Sequence, residues 1–201
     1  MRAVIHQSSY PQFRTKPSLQ LFTLVKPDPE RYPSAIIELG GVLTTKEIVH
    51  AKVLRYVHEI FPSALIDDDQ DITFLHDSVK VWISVIDLKY GNQEEFKEFA
   101  AKHEFPKFGI FVSGTLLSNV PRSPGLYQWV ATQPFTSITS VRLFNHDDGN
   151  CSLYVVYSIP ADTLDPGELK GAILAVAFNA NKLDDELKAK FGGQRFIDKS
   201  K

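Results

Sequence analysis

The chain has 201 residues, 43% of them hydrophobic and 23% charged, and its 22 Lys+Arg against 24 Asp+Glu leave a formal net charge of -2. That balance is ordinary for a globular protein and lacks the dense basic run of a nucleic-acid binder. Cys151 is the only cysteine, which excludes an intrachain disulfide, and no stretch has the apolar length of a signal peptide or a membrane span, so a cytosolic protein bound to neither nucleic acid nor membrane is expected.

Five of the twelve prolines, Pro11, Pro17, Pro27, Pro29 and Pro33, fall before residue 34. Each removes a backbone donor and biases the residue before it towards extended conformations. Residues 1–42 therefore read as an extended N-terminal arm, with strands at Leu19 to Val25 and Ile36 to Leu39. At Thr44 the character changes. Thr44 and Glu47 form a capping-box pair, Val49, Val53, Leu54, Val57, Ile60 and Phe61 trace a helical face, and Pro62 ends it.

Short strands are predicted next, at Ala64 to Ile66, Ile72 to Leu75 and Val79 to Leu88, with His76-Asp77-Ser78 as the turn between the second and third. In the third, Val79, Val81, Ile83 and Val85 alternate with Lys80, Trp82, Ser84 and Ile86. Both faces are largely apolar, the pattern of a central strand covered on each side. Residues 94–103 predict a short helix with Phe96, Phe99 and Ala100 inward, and Gly109 to Leu117 a further strand. Ser123-Pro124-Gly125 opens a helix whose apolar side is Leu126, Trp129 and Val130. Strands at Ser137 to Asn145 and Cys151 to Ile159 flank Asp147-Asp148-Gly149-Asn150, a hairpin signal because the favoured turn needs positive φ.

The last element is the longest. Asp165 caps it, Pro166 suits its first turn, Glu168 completes a capping box, and Leu164 with Leu169 form a hydrophobic staple. Leu169, Ile173, Val176, Ala180, Leu183, Leu187 and Phe191 recur at steps of three or four as one apolar stripe, which Gly192 ends. Sequential hairpins rather than alternating strand–helix units imply an α+β domain built on an antiparallel sheet. The long helix is then the lid on one face of that sheet.

Residues 139–193 carry a resemblance. An acidic-glycine turn (Asp147-Asp148-Gly149) joins two strands, followed by LDPGEL (Leu164 to Leu169), an apolar helix and KLDDELKAKFGG (Lys182 to Gly193). A looser match reaches back to LTTKEIVHAKVLRYV (Leu43 to Val57). The pattern resembles the YbjN family of putative bacterial sensory transduction regulators, which is similar in fold to class I type III secretion chaperones. Where family members often carry L-x-x-x-V-N-x-x-N in the middle helix, this chain reads LYQWVATQPF (Leu126 to Phe135). The resemblance implies an α-β-β-β-α-β-β-α order over residues 43–196, with an insertion at about 90–117 and a disordered tail at 197–201. It also implies a bacterial, dimeric, non-enzymatic module, regulatory or chaperone-like, that holds extended segments of another protein.

No constellation for catalysis, metal or cofactor stands out in the sequence. An EF-hand loop starting at Asp67 wants Gly and Glu where the chain has Ile72 and Ser78, so Asp67, Asp68, Asp69 and Asp71 read as a solvated turn. His50 and His58 are eight apart on one helix, outside the spacing of a helical metal pair; His103 and His146 read as surface residues. Ser113-Gly114-Thr115 lacks nucleophile-elbow framing. Cys151 begins a strand as a half-exposed structural thiol, and Trp82 and Trp129 read as packing anchors. The expected function is protein binding through a sheet edge or an apolar surface, with Leu126, Trp129, Val130, Tyr154 and Tyr157 as candidate contacts. The alternative is a carrier of a small apolar ligand, with a cavity between long helix and sheet as in helix-grip domains.

Overall fold

A computed structural model describes residues 45–88, 94–133 and 138–200. The expected arm with its two strands, Thr44 of the first capping box, and Ser137 lie outside the described residues. Helix α1 (Thr45–Ile60) is followed by strands β1 (Leu65–Ile66), β2 (Ile72–His76) and β3 (Val79–Asp87). Then come α2 (Glu94–Lys102), β4 (Phe108–Pro121), α3 (Pro124–Ala131), β5 (Ser140–Asn145), β6 (Asn150–Pro160), α4 (Pro166–Phe191) and a terminal 3-10 helix (Phe196–Ser200). The strands form one sheet in the order β1-β2-β3-β4-β6-β5, each neighbour antiparallel. The architecture is α+β.

Local chemistry sets the boundaries. Asp165 accepts from the Glu168 amide at 2.9 Å, and Ser123 accepts from the Leu126 amide at 3.2 Å, so both Pro-Gly openings are capped. Gly192, at φ 75°, ends α4 and donates its N–H to the Lys188 carbonyl. Gly149 at φ 85° turns the β5–β6 hairpin.

Antiparallel register sorts the side chains into two faces. Val81, Gly114 and Val155 share a row, as do Ile83, Val112 and Tyr157, and Val85, Ile110 and Ile159. Helix α4 lies on this first face, across β3, β4 and β6, and α1 packs beside it. Leu169, Ile173, Val176, Ala180 and Leu187 of α4 are wholly buried, with Leu183 and Phe191 packed at the margin. Each large aliphatic among them stabilises the fold by roughly 1.5–3 kcal/mol. Gly114 is where helix and strand come closest: a Cβ there would stand 3.0 Å from Val176 Cγ1, 3.1 Å from Val79 Cγ1 and 3.4 Å from Ala180 Cβ. The lid therefore closes on a filled core at this point, which gives no support to a helix-grip chamber.

The structure departs from the sequence reading in four places. Residues 108–117 of the expected insertion are the first ten of β4, which pairs with both β3 and β6 at the centre of the sheet. Residues 197–200 of the expected tail lie in the terminal 3-10 helix, where Asp198 binds the Lys188 ammonium at 2.9 Å and the Arg195 guanidinium at 3.0 Å. On α2, Phe96 and Phe99 are about half exposed, their tilted rings 6.2 Å apart and Phe99 also against His103, while Ala100 alone of the expected trio is buried. Cys151 is buried rather than half exposed: its thiol donates to the Val120 carbonyl at 3.4 Å, and burial pushes its pKa up.

Candidate functional site

The second face of the sheet is built from the residues that alternate with the core. One row runs Thr73, Trp82, Ser113, Val156, Ser140, and a neighbouring one contains Thr115, Tyr154 and Arg142. Phe111 stands in the next row between Ser84 and Ser158. No described helix from α1 to α4 supplies the lid here that α4 supplies opposite. Instead the face carries aromatic rings in mutual contact. Tyr154 meets Trp82 edge-on with centroids 6.2 Å apart and Phe144 at 5.3 Å, and the Arg142 guanidinium lies 5.6 Å from the Phe111 ring. Burial among these groups raises the Tyr154 phenol, against a lowering hydrogen bond with Ser152.

Lys80 is the other cation of this face. Its ammonium sits 4.8 Å from the Trp82 ring and 5.9 Å from Phe196, which the terminal 3-10 helix lays against Trp82. Among the described residues it has no carboxylate within ion-pair distance, and burial lowers its pKa, opposed by the more distant Asp67 and Asp71. Thr115 is 96% buried, yet among the described residues its Oγ1 has no hydrogen-bond partner.

The two ends of the sheet differ. β1 is two residues long, whereas β5 has six and, among the described residues, ends the sheet on its side. Short edge strands blunt the tendency to add another strand, and long ones invite it. Along β5, Val141 and Leu143 rest on the core, and Ser140, Arg142 and Asn145 are exposed.

The five candidate contacts separate. Leu126 is wholly buried, and Trp129, Val130 and Tyr157 are partly buried against the same core, with Trp129 edge-on to Phe191. Tyr154 stands on the second face, opposite to Tyr157, as strand alternation requires. Trp82, Phe144, Phe111, Lys80, Arg142 and Phe196 join Tyr154 there and were not singled out as contacts. The signal was present in Lys80-x-Trp82-x-Ser84-x-Ile86, whose second apolar face was assigned to core.

The remaining candidates resolve into local structure. His50 Nε2 bonds the Gln70 carbonyl at 2.9 Å, His58 Nε2 that of Ala64 at 3.1 Å, and His146 Nε2 the Ser152 hydroxyl at 2.8 Å. Asp67 accepts from the Asp69 and Asp71 amides, a loop turn. Among the described residues no group of three His, Cys, Asp or Glu side chains is arranged to hold a metal, and no helix is long and apolar enough to cross a membrane. Buried Asp184, bonded by the Ser78 hydroxyl with Asn181 alongside, ties α4 to the β2–β3 turn.

Comparison with known proteins adds a family match over part of the chain. Residues 110–199 match the family model described as T3SS (YopN, CesT) and YbjN peptide-binding chaperone 1. The resemblance to the YbjN family stands. The match takes in residues 110–117, part of the expected insertion. It covers β4 from its third residue, the α3 region, the β5–β6 hairpin, α4 and most of the terminal 3-10 helix. A chain from the structure of the HopA1-SchA chaperone-effector complex aligns at 12% identity and TM-score 0.44, over 72% of this chain and 99% of that one. A chain from the crystal structure of the ExsC-ExsE complex aligns at 13% identity and TM-score 0.45, over 71% of this chain and 96% of that one. No curated protein matches the sequence.

Proposed function

We propose that this protein is a non-catalytic, cytoplasmic peptide-binding module that holds an extended segment of a protein partner along β5, with alternate side chains of that segment reaching the aromatic second face. The observation that carries it is the asymmetry of the sheet among the described residues: a six-residue strand stands at one side, next to the strand that carries Tyr154, while the other side carries a two-residue stub. Strand addition derives affinity from main-chain hydrogen bonds and specificity from pockets for every second side chain. The family matched over residues 110–199 is one of peptide-binding chaperones, which supports the same reading. A homodimer, with the half-buried Trp129 and Val130 of α3 near the contact, completes it.

The test is selection of a random peptide library on the immobilised full-length protein, followed by hydrogen exchange with the selected peptides. The expected winners alternate apolar and polar residues, and they protect amides of residues 140–145. Failure to enrich any sequence, or protection confined to α1 and α2, overturns the proposal. Sedimentation of the full chain at micromolar concentration tests the dimer; a monomer at every concentration removes that part alone.

A further inference from the structure

Beyond Gly192 the chain leaves α4 and crosses to the second face. Gly193, at φ 92°, approaches so closely that a Cβ would fall 2.7 Å from Val120 Cγ2 and 2.9 Å from the Ser118 carbonyl. The next residue, Gln194, exchanges two main-chain hydrogen bonds with Ser118, both 2.8 Å. Ser118 is available because β3 starts at Val79, two residues past its Val81–Gly114 pair, so β4 outruns it, and because the β4–β6 register shifts between Leu117 and Val120. One extended residue thus fills a lane that β3 has vacated. Phe196 then covers Trp82 and the Lys80 ammonium, and Asp198 fastens the segment to Lys188 and Arg195.

What lies beneath this strap is chemically incomplete. Lys80 and Thr115 follow the Val81–Gly114 pair on the second face. Among the described residues, the first is a partly desolvated cation with no carboxylate at ion-pair distance, only Asp67 and Asp71 farther off, and the second is a buried hydroxyl without a hydrogen-bond partner. Phe196 offers Lys80 only a ring. β3 to β6 put Lys80 and Arg142 on this face and no Asp or Glu, and the acidic side chain that reaches it from the loop before β2 is Asp71, engaged with Ser84. We infer that residues 194–200 are a displaceable internal occupant of a groove whose external ligand is an extended, acidic segment carrying an aromatic residue. The aromatic residue replaces Phe196 on Trp82, and a carboxylate meets Lys80 and Thr115. This rests on the peptide-binding function proposed above and adds its ligand chemistry and its regulation: the strap competes with the partner. A competitor that closes the groove in most molecules lowers apparent affinity in proportion to the fraction left open.

The experiment titrates the full-length protein with a fluorescein-labelled nonapeptide of alternating Glu and Phe, and with its Lys–Phe counterpart. The variant Phe196→Ala/Asp198→Asn is expected to bind the acidic peptide at least about tenfold more tightly than the wild type. Lys80→Gln is expected to weaken that binding in both backgrounds, and the basic peptide to bind worse than the acidic one. Lys188→Ala loosens the strap without touching the aromatic face and repeats the test if the double variant does not fold by circular dichroism. Equal affinity of wild type and strap variants overturns the competition, and equal affinity for the two peptides overturns the acidic ligand. Binding of neither peptide overturns the inference for this groove, while library selection at β5 still decides the wider function.

Discussion

Gly114→Ala measures how completely α4 closes on the sheet. The new methyl would meet Val176 Cγ1 at 3.0 Å, Val79 Cγ1 at 3.1 Å and Ala180 Cβ at 3.4 Å, against roughly 3.5–4.0 Å for a relaxed carbon pair. Val79, Val176 and Ala180 are wholly buried, so none can swing into water. Overpacking of this kind costs about 1–3 kcal/mol. Restricting the unfolded chain by replacing glycine returns about 0.4–1 kcal/mol. The net expectation is a loss of about 0.5–2 kcal/mol, which lowers the melting temperature by about 2–4 °C per kcal/mol for a chain of this size. Thermal melts by circular dichroism and urea titrations read it directly. Val176→Ala in the same molecule removes the closest obstruction, so the double variant should be more stable than the sum of the single effects by more than about 0.5 kcal/mol. A neutral or stabilising Gly114→Ala, together with additive behaviour in the double variant, would refute the filled interface and restore the chamber of a ligand carrier.

Ser78→Ala removes the hydroxyl that bonds buried Asp184 and should destabilise by about 1–3 kcal/mol in a urea titration, with a smaller effect once Asp184 is already Asn. Asp165→Ala strips the cap from α4, and a loss of about 0.5–2 kcal/mol is expected in the same assay. Hydrogen bonds from Arg195 and Lys188 hold the Asp198 carboxyl well below the usual carboxylate range. Its folded pKa is thus below the unfolded one, so its contribution is full above the ordinary carboxylate pKa and is lost as pH falls through the folded value. Exchange of the Ser118 and Gln194 amides should accordingly speed up, relative to a core reference amide, as the solution is acidified below about pH 4; no change would detach the strap from the Asp198 clamp. Cys151, buried and with a raised pKa, should resist iodoacetamide until the protein unfolds.

Helix ends and hairpins were legible because their causes are local. Asp165, Ser123, Gly192 and Gly149 each act through a single side chain or a single φ, and all four do what their positions in the sequence imply. The apolar stripe of α4 was equally plain, since a period near 3.6 has one outcome once a sheet is present. Less legible was which strands stand at the centre. β4 reads as an ordinary apolar run, and only its pairing on both sides shows that the sheet turns on it. The candidate site was harder still. Trp82, Tyr154, Phe144 and Phe196 come from three strands and the last turn of the chain, and an aromatic residue on a second sheet face has the same sequence signature as one in a core. Phe96 and Phe99 misled in the opposite direction: helical spacing grouped them with Ala100, but only Ala100 turned inward.

The double-sided pairing of β4 also bears on how the molecule can be divided. A fragment cut at residue 110 would keep the hairpin and the long helix but strip β3 from the rows holding Ile110, Val112 and Gly114. It would thereby bare a row of main-chain donors and acceptors in the middle of what had been dry interior, a template for aggregation. The smallest autonomous piece must therefore reach back at least through β3.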